Sequence, residues 1–85
     1  MTKKEVEIRL ENGLEARPVA LLVQTASQFD SSIYIEAGSA KVNAKSIMGM
    51  MSLGLTNGDE LNIIAEGSDE EAAVAALAEF LTEAK

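Results

Sequence analysis

Apolar and charged side chains alternate along residues 4–11, which is the two-residue period of a strand with one face in water. The apolar members of this segment are Val6, Ile8 and Leu10. The period then becomes helical from Ala16 to Gln28, and Pro18 suits the first turn of that helix, where a backbone N–H has no helical partner. The opening of the chain therefore predicts a strand followed by a helix.

The middle of the chain predicts a hairpin and a short helix. Residues 32–37 alternate again, a Gly-Ser pair forms a turn of hairpin length, and residues 40–43 return as the second strand. Residues 46–53 are short and strongly apolar, and Gly54 is a suitable C-terminal stop for a helix. We predict a second helix over this segment.

A fourth strand and a last helix complete the pattern. The strand covers residues 60–66, and residues 68–71 have the sequence of a capping box, in which Ser68 and Glu71 satisfy each other's backbone N–H groups. The apolar stripe of the last helix consists of Ala73, Leu77, Phe80, Leu81 and Ala84. The order β-α-β-β-α-β-α predicts an α+β fold, in which helices cover one face of a four-stranded antiparallel or mixed sheet.

Composition and charge restrict the function. The 85 residues predict a single domain over residues 1–85, and they include no cysteine, histidine or tryptophan. Thiolate and imidazole chemistry is therefore excluded, and we expect no metal and no cofactor. Seven basic and fourteen acidic side chains give a net charge of −7, which argues against direct binding to nucleic acid or an anionic membrane. Because the sequence has neither a signal-peptide pattern nor a membrane-spanning apolar run, we expect a cytoplasmic protein.

The start of the first helix carries the first candidates for chemistry, Glu15 and Arg17. They lie where the unpaired N–H groups of a helix and its dipole favour an anion. A single carboxylate without a second acid or a metal is weak evidence for catalysis, and an acid that complements the helix dipole is the simpler interpretation. From the residues alone we expect no enzyme active site here.

Ser46 is the second candidate, because it falls at the N-cap of the short helix. Most serines in that position serve only as caps. The functional alternative is phosphorylation, since a phosphate would face the helix N-terminus and gain charge-assisted hydrogen bonds. Lys45 and Arg17 would add to these bonds if the starts of the first two helices are neighbours.

The short helix itself is the third candidate, because it leaves almost no polar face. A helix on one side of a small domain buries only part of its circumference. Ile47 and Met51 share a face by their spacing of four, and Met48 lies at its edge. We predict that these three residues, called the methionine patch below, form an exposed docking surface. Met50 and Leu53 share another face and are predicted to belong to the core.

The residues singled out above resemble those of the HPr family, the small phosphocarriers of the bacterial sugar phosphotransferase system, along the whole chain. That family has two signatures, Gly-Leu-His-Ala-Arg-Pro and Lys-Ser-Ile-Met-Gly. Here residues 13–18 carry the first with Glu15 in place of the histidine, and residues 45–49 carry the second intact. The resemblance implies an open-faced β-sandwich, a four-stranded antiparallel sheet covered on one face by three helices.

Glu15 decides which function this resemblance implies. The phosphoryl-accepting histidine is absent, and an anionic carboxylate would repel an incoming phosphoryl group, so we infer that carrier activity is lost. The chain is then similar to the catabolite repression HPr (Crh) subfamily, which keeps the regulatory serine, although that subfamily is better known with glutamine at this position. The resemblance implies that the HPr kinase/phosphorylase phosphorylates Ser46, and that the phosphoprotein is the corepressor of a LacI-type catabolite control repressor.

The same resemblance makes the methionine patch the docking surface for both partners, with Arg17 and Lys45 as contacts to the phosphate or the partner. One alternative is a phosphocarrier that uses Glu15. Another is an acyl carrier protein, also small and acidic with a functional serine at a helix start, but that family is all-helical and has Asp where Lys45 stands. For the oligomeric state we keep two expectations, a monomer and a homodimer that exchanges its first strand.

Overall fold

Three helices and four strands lie in the part of the chain that the structure describes. The structure is a computed structural model that describes residues 1–9, 16–54 and 56–82, with only the backbone of Ala16 and Arg17. The elements are β1 (Thr2–Glu7), α1 (Ala16–Ala26), β2 (Ser32–Ala37), β3 (Ala40–Asn43), α2 (Ile47–Met51), β4 (Glu60–Glu66) and α3 (Glu70–Leu81). The predicted order of elements and the α+β class are confirmed.

The four strands form one antiparallel sheet in the order β1-β4-β2-β3. β4 is central, with Leu61 opposite Val6 of β1 and Ile63 opposite Ile35 of β2. Because side chains alternate along a strand, these pairs bring one apolar face of the sheet under the helices. The predicted four-stranded antiparallel sheet, covered on one face by three helices, is confirmed.

The core lies between that apolar face and the helices. Its largest fully buried apolar side chains are Ile8, Val19, Leu22, Ile33, Ile35, Met50, Leu61, Ile63, Leu77 and Leu81. Burying a side chain of this size stabilises the folded state by about 1.5–3 kcal/mol before entropy losses are counted. In the described part of the chain no helix is both long and apolar enough to cross a bilayer.

Several predicted boundaries differ from the observed ones. β1 begins at Thr2 and ends at Glu7. The Ile8 N–H still donates to its register partner, Asp59 O, at 2.8 Å, but the Arg9 N–H turns away to Leu81 O at 2.8 Å, so the pairing with β4 goes no further. α1 ends at Ala26 rather than Gln28, since the chain beyond it turns with three-residue hydrogen bonds. Leu10 lies outside the described residues.

The capping box predicted for residues 68–71 is wrong. The N-cap of α3 is Asp69, whose carboxylate makes no capping bond to its own helix. It instead accepts hydrogen bonds from the backbone N–H groups of Asp30 at 2.9 Å and Ser31 at 3.0 Å, and from the Ser31 hydroxyl. A local motif is therefore replaced by a contact between segments 38 or more residues apart in sequence.

The apolar stripe predicted for α3 is otherwise observed. Ala73, Leu77 and Leu81 are buried, and Phe80 packs against the core from a half-buried position. Ala84 lies outside the described residues. The stripe therefore joins α3 to the apolar face of the sheet.

Candidate functional site

The Ser46 hydroxyl lies at the start of α2, where the sequence predicts an N-cap. Ser46 has extended backbone angles (φ −111°, ψ 114°), and its Oγ accepts a hydrogen bond from the Gly49 N–H at 3.2 Å. The Met50 N–H donates to Ser46 O at 3.0 Å, so the peptide of Ser46 already belongs to the helical ladder. The capping role of Ser46 is thus confirmed, and the residue is half-buried.

The methionine patch is exposed directly beside this hydroxyl. Ile47 is 47% exposed, Met48 85% and Met51 51%, whereas Met50 is fully buried. Leu53 packs against the core from a half-buried position. The five-residue helix therefore divides its apolar side chains as the spacing predicts, with Met50 inward and the patch in solvent.

α2 carries no acidic side chain in its first turn, whereas α3 begins with Glu70 and Glu71. Acidic side chains at a helix start normally complement the helix dipole. An anionic group attached to the Ser46 oxygen would therefore meet no like charge from the first turn of α2.

Lys45 is bonded to the segment that follows the C-terminal end of α1, whereas Arg17 lies in the first turn of that helix. The Lys45 Nζ donates to Phe29 O at 2.7 Å, and its backbone N–H donates to the Asn43 side-chain oxygen at 2.8 Å. Phe29 follows the C-terminal end of α1, while Arg17 lies in its first turn, roughly 16 Å away along an eleven-residue helix. The Lys45 ammonium is therefore directed to a helix C-terminal carbonyl and away from the start of α1.

The other two predicted site residues are Glu15 and Arg17. Glu15 lies outside the described residues, and Arg17 is described by its backbone alone, which places it in the first turn of α1. α1 packs against α2. The helix that carries Arg17 and the helix that follows Ser46 are thus neighbours in the layer above the sheet.

Leu21 is an exposed apolar residue outside the predicted candidate sites. It is 48% exposed on α1. It stands four residues after Arg17, which puts both positions on one side of the helix. The signal for it was present in the spacing, because Leu21 falls outside the buried stripe formed by Val19, Leu22, Val23 and Ala26.

The resolved pKa shifts among the described residues belong to another part of the molecule. A hydrogen bond from Thr2 and the chain N-terminus hold the pKa of the Glu70 carboxyl at about 2, compared with an ordinary 4.5. Hydrogen bonds from Ser31 and from the Asp30 backbone lower the pKa of the Asp69 carboxyl. Within the described ranges no cluster of three or more carboxylates is arranged to hold a metal ion.

A family model, curated proteins and solved structures that match this chain all belong to the HPr and Crh proteins. Residues 2–83 match the family model PTS-HPr, described as the PTS HPr component phosphorylation site. The HPr-like protein Crh of Halalkalibacterium halodurans is 52% identical over 81 residues, which cover 95% of this chain and 96% of that protein.

Two solved structures are also similar. The phosphocarrier protein HPr of Bacillus anthracis superposes with a TM-score of 0.92 at 50% identity, covering 94% of this chain and 95% of that one. Bacillus subtilis Crh, described as a dimer with a swapping domain, superposes with a TM-score of 0.80 at 48% identity, covering 100% and 98%. Overall identity to Crh and to a phosphocarrier is thus nearly equal.

Proposed function

From the premise that the chain belongs to the HPr family, and with Crh proteins among its relatives, we propose that it is a regulatory protein of carbon catabolite repression that is switched by phosphorylation of Ser46. The observation that carries the proposal is that Ser46, half-buried at the N-cap of α2, directly precedes the helix that carries the exposed methionine patch. A modification site and an apolar anchor are then adjacent on one short helix. A protein with this role works in the cytoplasm.

In the proposed reaction the chain is the substrate and the HPr kinase/phosphorylase is the enzyme. The Ser46 Oγ attacks the γ-phosphorus of ATP, the bond to ADP breaks, and the hydroxyl proton passes to a base of the kinase. The product adds about −1.5 to −2 charges at the start of α2, a position where a helix dipole favours negative charge. Its first turn lacks acidic side chains, so no repulsion within α2 opposes the product.

The proposed reader of this charge is a LacI-type catabolite control repressor. Its surface would supply a basic pocket for the phosphate and an apolar groove for Ile47, Met48 and Met51. Such a surface couples a charge-assisted contact to a buried apolar anchor, and both are needed for tight binding. The chain has a net charge of −7, so in this complex the repressor makes the contacts to the operator.

Two cations have different parts in this proposal. Arg17 is proposed to contact the phosphate or the repressor from the first turn of α1. Lys45 would have to release Phe29 O before it reached the phosphate, because its ammonium donates to that carbonyl at 2.7 Å. We therefore propose Arg17 and Lys45 as supporting contacts, and Lys45 takes part only after its bond to Phe29 O is exchanged.

Carrier activity is proposed to be absent because Glu15 replaces the accepting histidine of the family signature. An imidazole offers a neutral nitrogen to the phosphoryl donor, whereas a carboxylate is anionic at neutral pH. Incubation with phosphoenolpyruvate and the general phosphotransferase enzyme should therefore leave the mass of the chain unchanged. An added phosphoryl group mapped to Glu15 would establish the alternative, a phosphocarrier.

The proposal is tested by intact mass after incubation with the HPr kinase/phosphorylase and ATP. We expect one added phosphoryl group, which is lost in Ser46→Ala and kept in Ser52→Ala. Ser52 is a matched control, because it is an exposed serine at the other end of α2 whose hydroxyl donates to Gly49 O at 2.6 Å. Addition to Ser46→Ala, or no addition to the unmodified sequence, would refute the proposed switch.

The second test measures binding to the repressor. The phosphoprotein should bind the repressor, while the unphosphorylated chain and Ser46→Ala treated with kinase should not. Equal binding with and without phosphate would mean that the phosphoryl group is not the signal, and the corepressor role would be withdrawn.

A further inference from the structure

α2 presents three methionines in three different environments. Met48 is 85% exposed, Met51 is 51% exposed and Met50 is fully buried. Thioether sulfurs react with peroxides in proportion to their access to solvent, and the product sulfoxide is polar. The same short helix therefore has two accessible reaction sites and one protected site within four residues.

We propose that Met48, and more slowly Met51, are oxidation sites through which a peroxide switches off the methionine patch as a docking surface. This inference rests on the proposed function, since it concerns regulation of the same surface. It adds a second chemical input to the patch, opposite in direction to phosphorylation of Ser46.

The chemical step needs only the peroxide as oxidant. The lone pair of the methionine sulfur attacks one peroxide oxygen, a sulfur–oxygen bond forms, and the oxygen–oxygen bond breaks. With hydrogen peroxide the remaining oxygen leaves as water after proton transfer. Sulfur is oxidised to the sulfoxide and the peroxide is reduced, so no further co-reactant is required.

The sulfoxide changes the patch without changing the core. It places a strong hydrogen-bond acceptor on a side chain that has to enter an apolar groove, where burying an unpaired polar group is unfavourable. Met50, which packs among buried core residues, stays reduced while the chain is folded. The oxidised protein therefore keeps its fold and its Ser46 site, and it loses its apolar anchor.

The order of oxidation is tested first, on the complete chain and without any partner. Hydrogen peroxide is added to the folded protein, and peptide fragmentation follows sulfoxide formation at the three methionines of α2. We expect Met48 to react fastest, Met51 next and Met50 slowest, with the differences removed in denaturant. Oxidation of Met50 as fast as Met48 in the folded protein would overturn the proposal.

The effect on docking is tested with protein already phosphorylated on Ser46. Oxidation should weaken repressor binding roughly tenfold or more, as expected for an unpaired polar group in an apolar interface. Methionine sulfoxide reductases should restore the affinity. Unchanged affinity of a phosphoprotein that is fully oxidised at Met48 and Met51 would overturn the switch.

Two variants assign the effect to the right sulfurs. The double substitution Met48→Leu and Met51→Leu has no oxidisable sulfur in the patch, so its own affinity should be the same before and after peroxide. Met50→Leu keeps both exposed sulfurs, so oxidation should lower its affinity for the repressor as much as it does in the unsubstituted protein. A loss of affinity in the double variant as large as in the unsubstituted protein would overturn the assignment.

The outcome is separable from that of the proposed function. Failure of the unoxidised phosphoprotein to bind the repressor refutes the corepressor role, and the switch with it, whatever the order of oxidation. Binding before oxidation that persists after it refutes only the switch.

Discussion

At the scale of single residues, Met48 and Met50 differ sharply in exposure. They are two positions apart in a five-residue helix, yet one is almost fully exposed and the other is fully buried among core side chains. A helix turns by 100° per residue, so positions two apart point in nearly opposite directions. The same chemical change at the two positions therefore separates a role in docking from a role in stability.

Met50→Asp should destabilise the fold by about 3–5 kcal/mol, because it leaves an unpaired charge in an apolar site. Met48→Asp should change the free energy of unfolding by less than about 0.5 kcal/mol, since its side chain is in solvent. Urea unfolding followed by circular dichroism measures both. Global unfolding of Met48→Asp would mean that Met48 supports the core and does not belong to the docking surface.

Met48→Asp should nevertheless weaken both phosphorylation and repressor binding, because it places a charge in the apolar anchor. The two effects are measured as the kinase rate and the repressor affinity of a variant whose circular dichroism is unchanged. Unchanged values for both would exclude Met48 from the docking surface.

The sequence predicts these residue roles where they depend on spacing along the chain. The N-cap position of Ser46, the burial of Met50 and the exposure of Met48 all follow from helical periodicity within eight residues. The bond from the Lys45 ammonium to Phe29 O does not, because it joins residues 16 apart and depends on how α1 is placed beside α2. The local pattern therefore predicts which side chains are buried or exposed, whereas tertiary packing determines which partner a charged side chain such as Lys45 binds.

At the scale of elements, the start of α3 is joined to β1 and to the turn before β2. Asp69 holds the turn before β2, and Glu70 accepts from the Thr2 hydroxyl at 2.6 Å and from Gly67 N–H at 3.1 Å. The chain N-terminus lies 2.9 Å from the same Glu70 carboxylate. The predicted capping box of Ser68 and Glu71 is replaced here by Asp69, which binds the turn before β2, and by Glu70, which combines a local bond from Gly67 N–H with a bond from Thr2 of β1. The two contacts to other elements cannot be predicted from a local motif.

This junction should make stability depend on pH in the acid range. The pKa of Glu70 is about 2 in the folded state against an ordinary 4.5, so its contribution is complete above pH 4.5 and is lost as the pH falls towards 2. The lowered pKa of Asp69 acts in the same direction. Glu70→Gln keeps an acceptor for Thr2 but removes the charge, and its free energy of unfolding should change less over this range.

Thermal unfolding between pH 4.5 and about 2 measures the difference. Glu71→Gln is the matched control, because Glu71 is the exposed neighbour in the same first turn, and this variant should follow the unsubstituted protein. An identical pH dependence for Glu70→Gln would show that ionisation of the Glu70 carboxyl does not contribute to folding stability.

At the scale of the whole molecule, β1 is an edge strand suited to exchange between two copies. It lies at one edge of the sheet and pairs only with β4, through the register Thr2↔Ala65 to Glu7↔Glu60. The β1 strand of a second copy would make the same pairs with β4, so the contact energies of monomer and exchanged dimer are nearly equal. The equilibrium between monomer and dimer then depends on protein concentration and on the conformation of the segment that follows β1. The relative Crh of Bacillus subtilis is described as a dimer with a swapping domain.

We therefore expect a monomer in dilute solution and a strand-exchanged dimer in concentrated solution. The chain has no cysteine, so the double substitution Glu5→Cys and Asn62→Cys reports the pairing directly, because these positions are opposite each other in β1 and β4. Oxidation should close the disulfide within one chain when the protein is dilute and between two chains when it is concentrated. Glu5→Cys alone controls for random cross-linking.

A hydrodynamic dimer whose disulfide stays within each chain would mean that the two copies associate through another surface. The exposed methionine patch would then be the first surface to test.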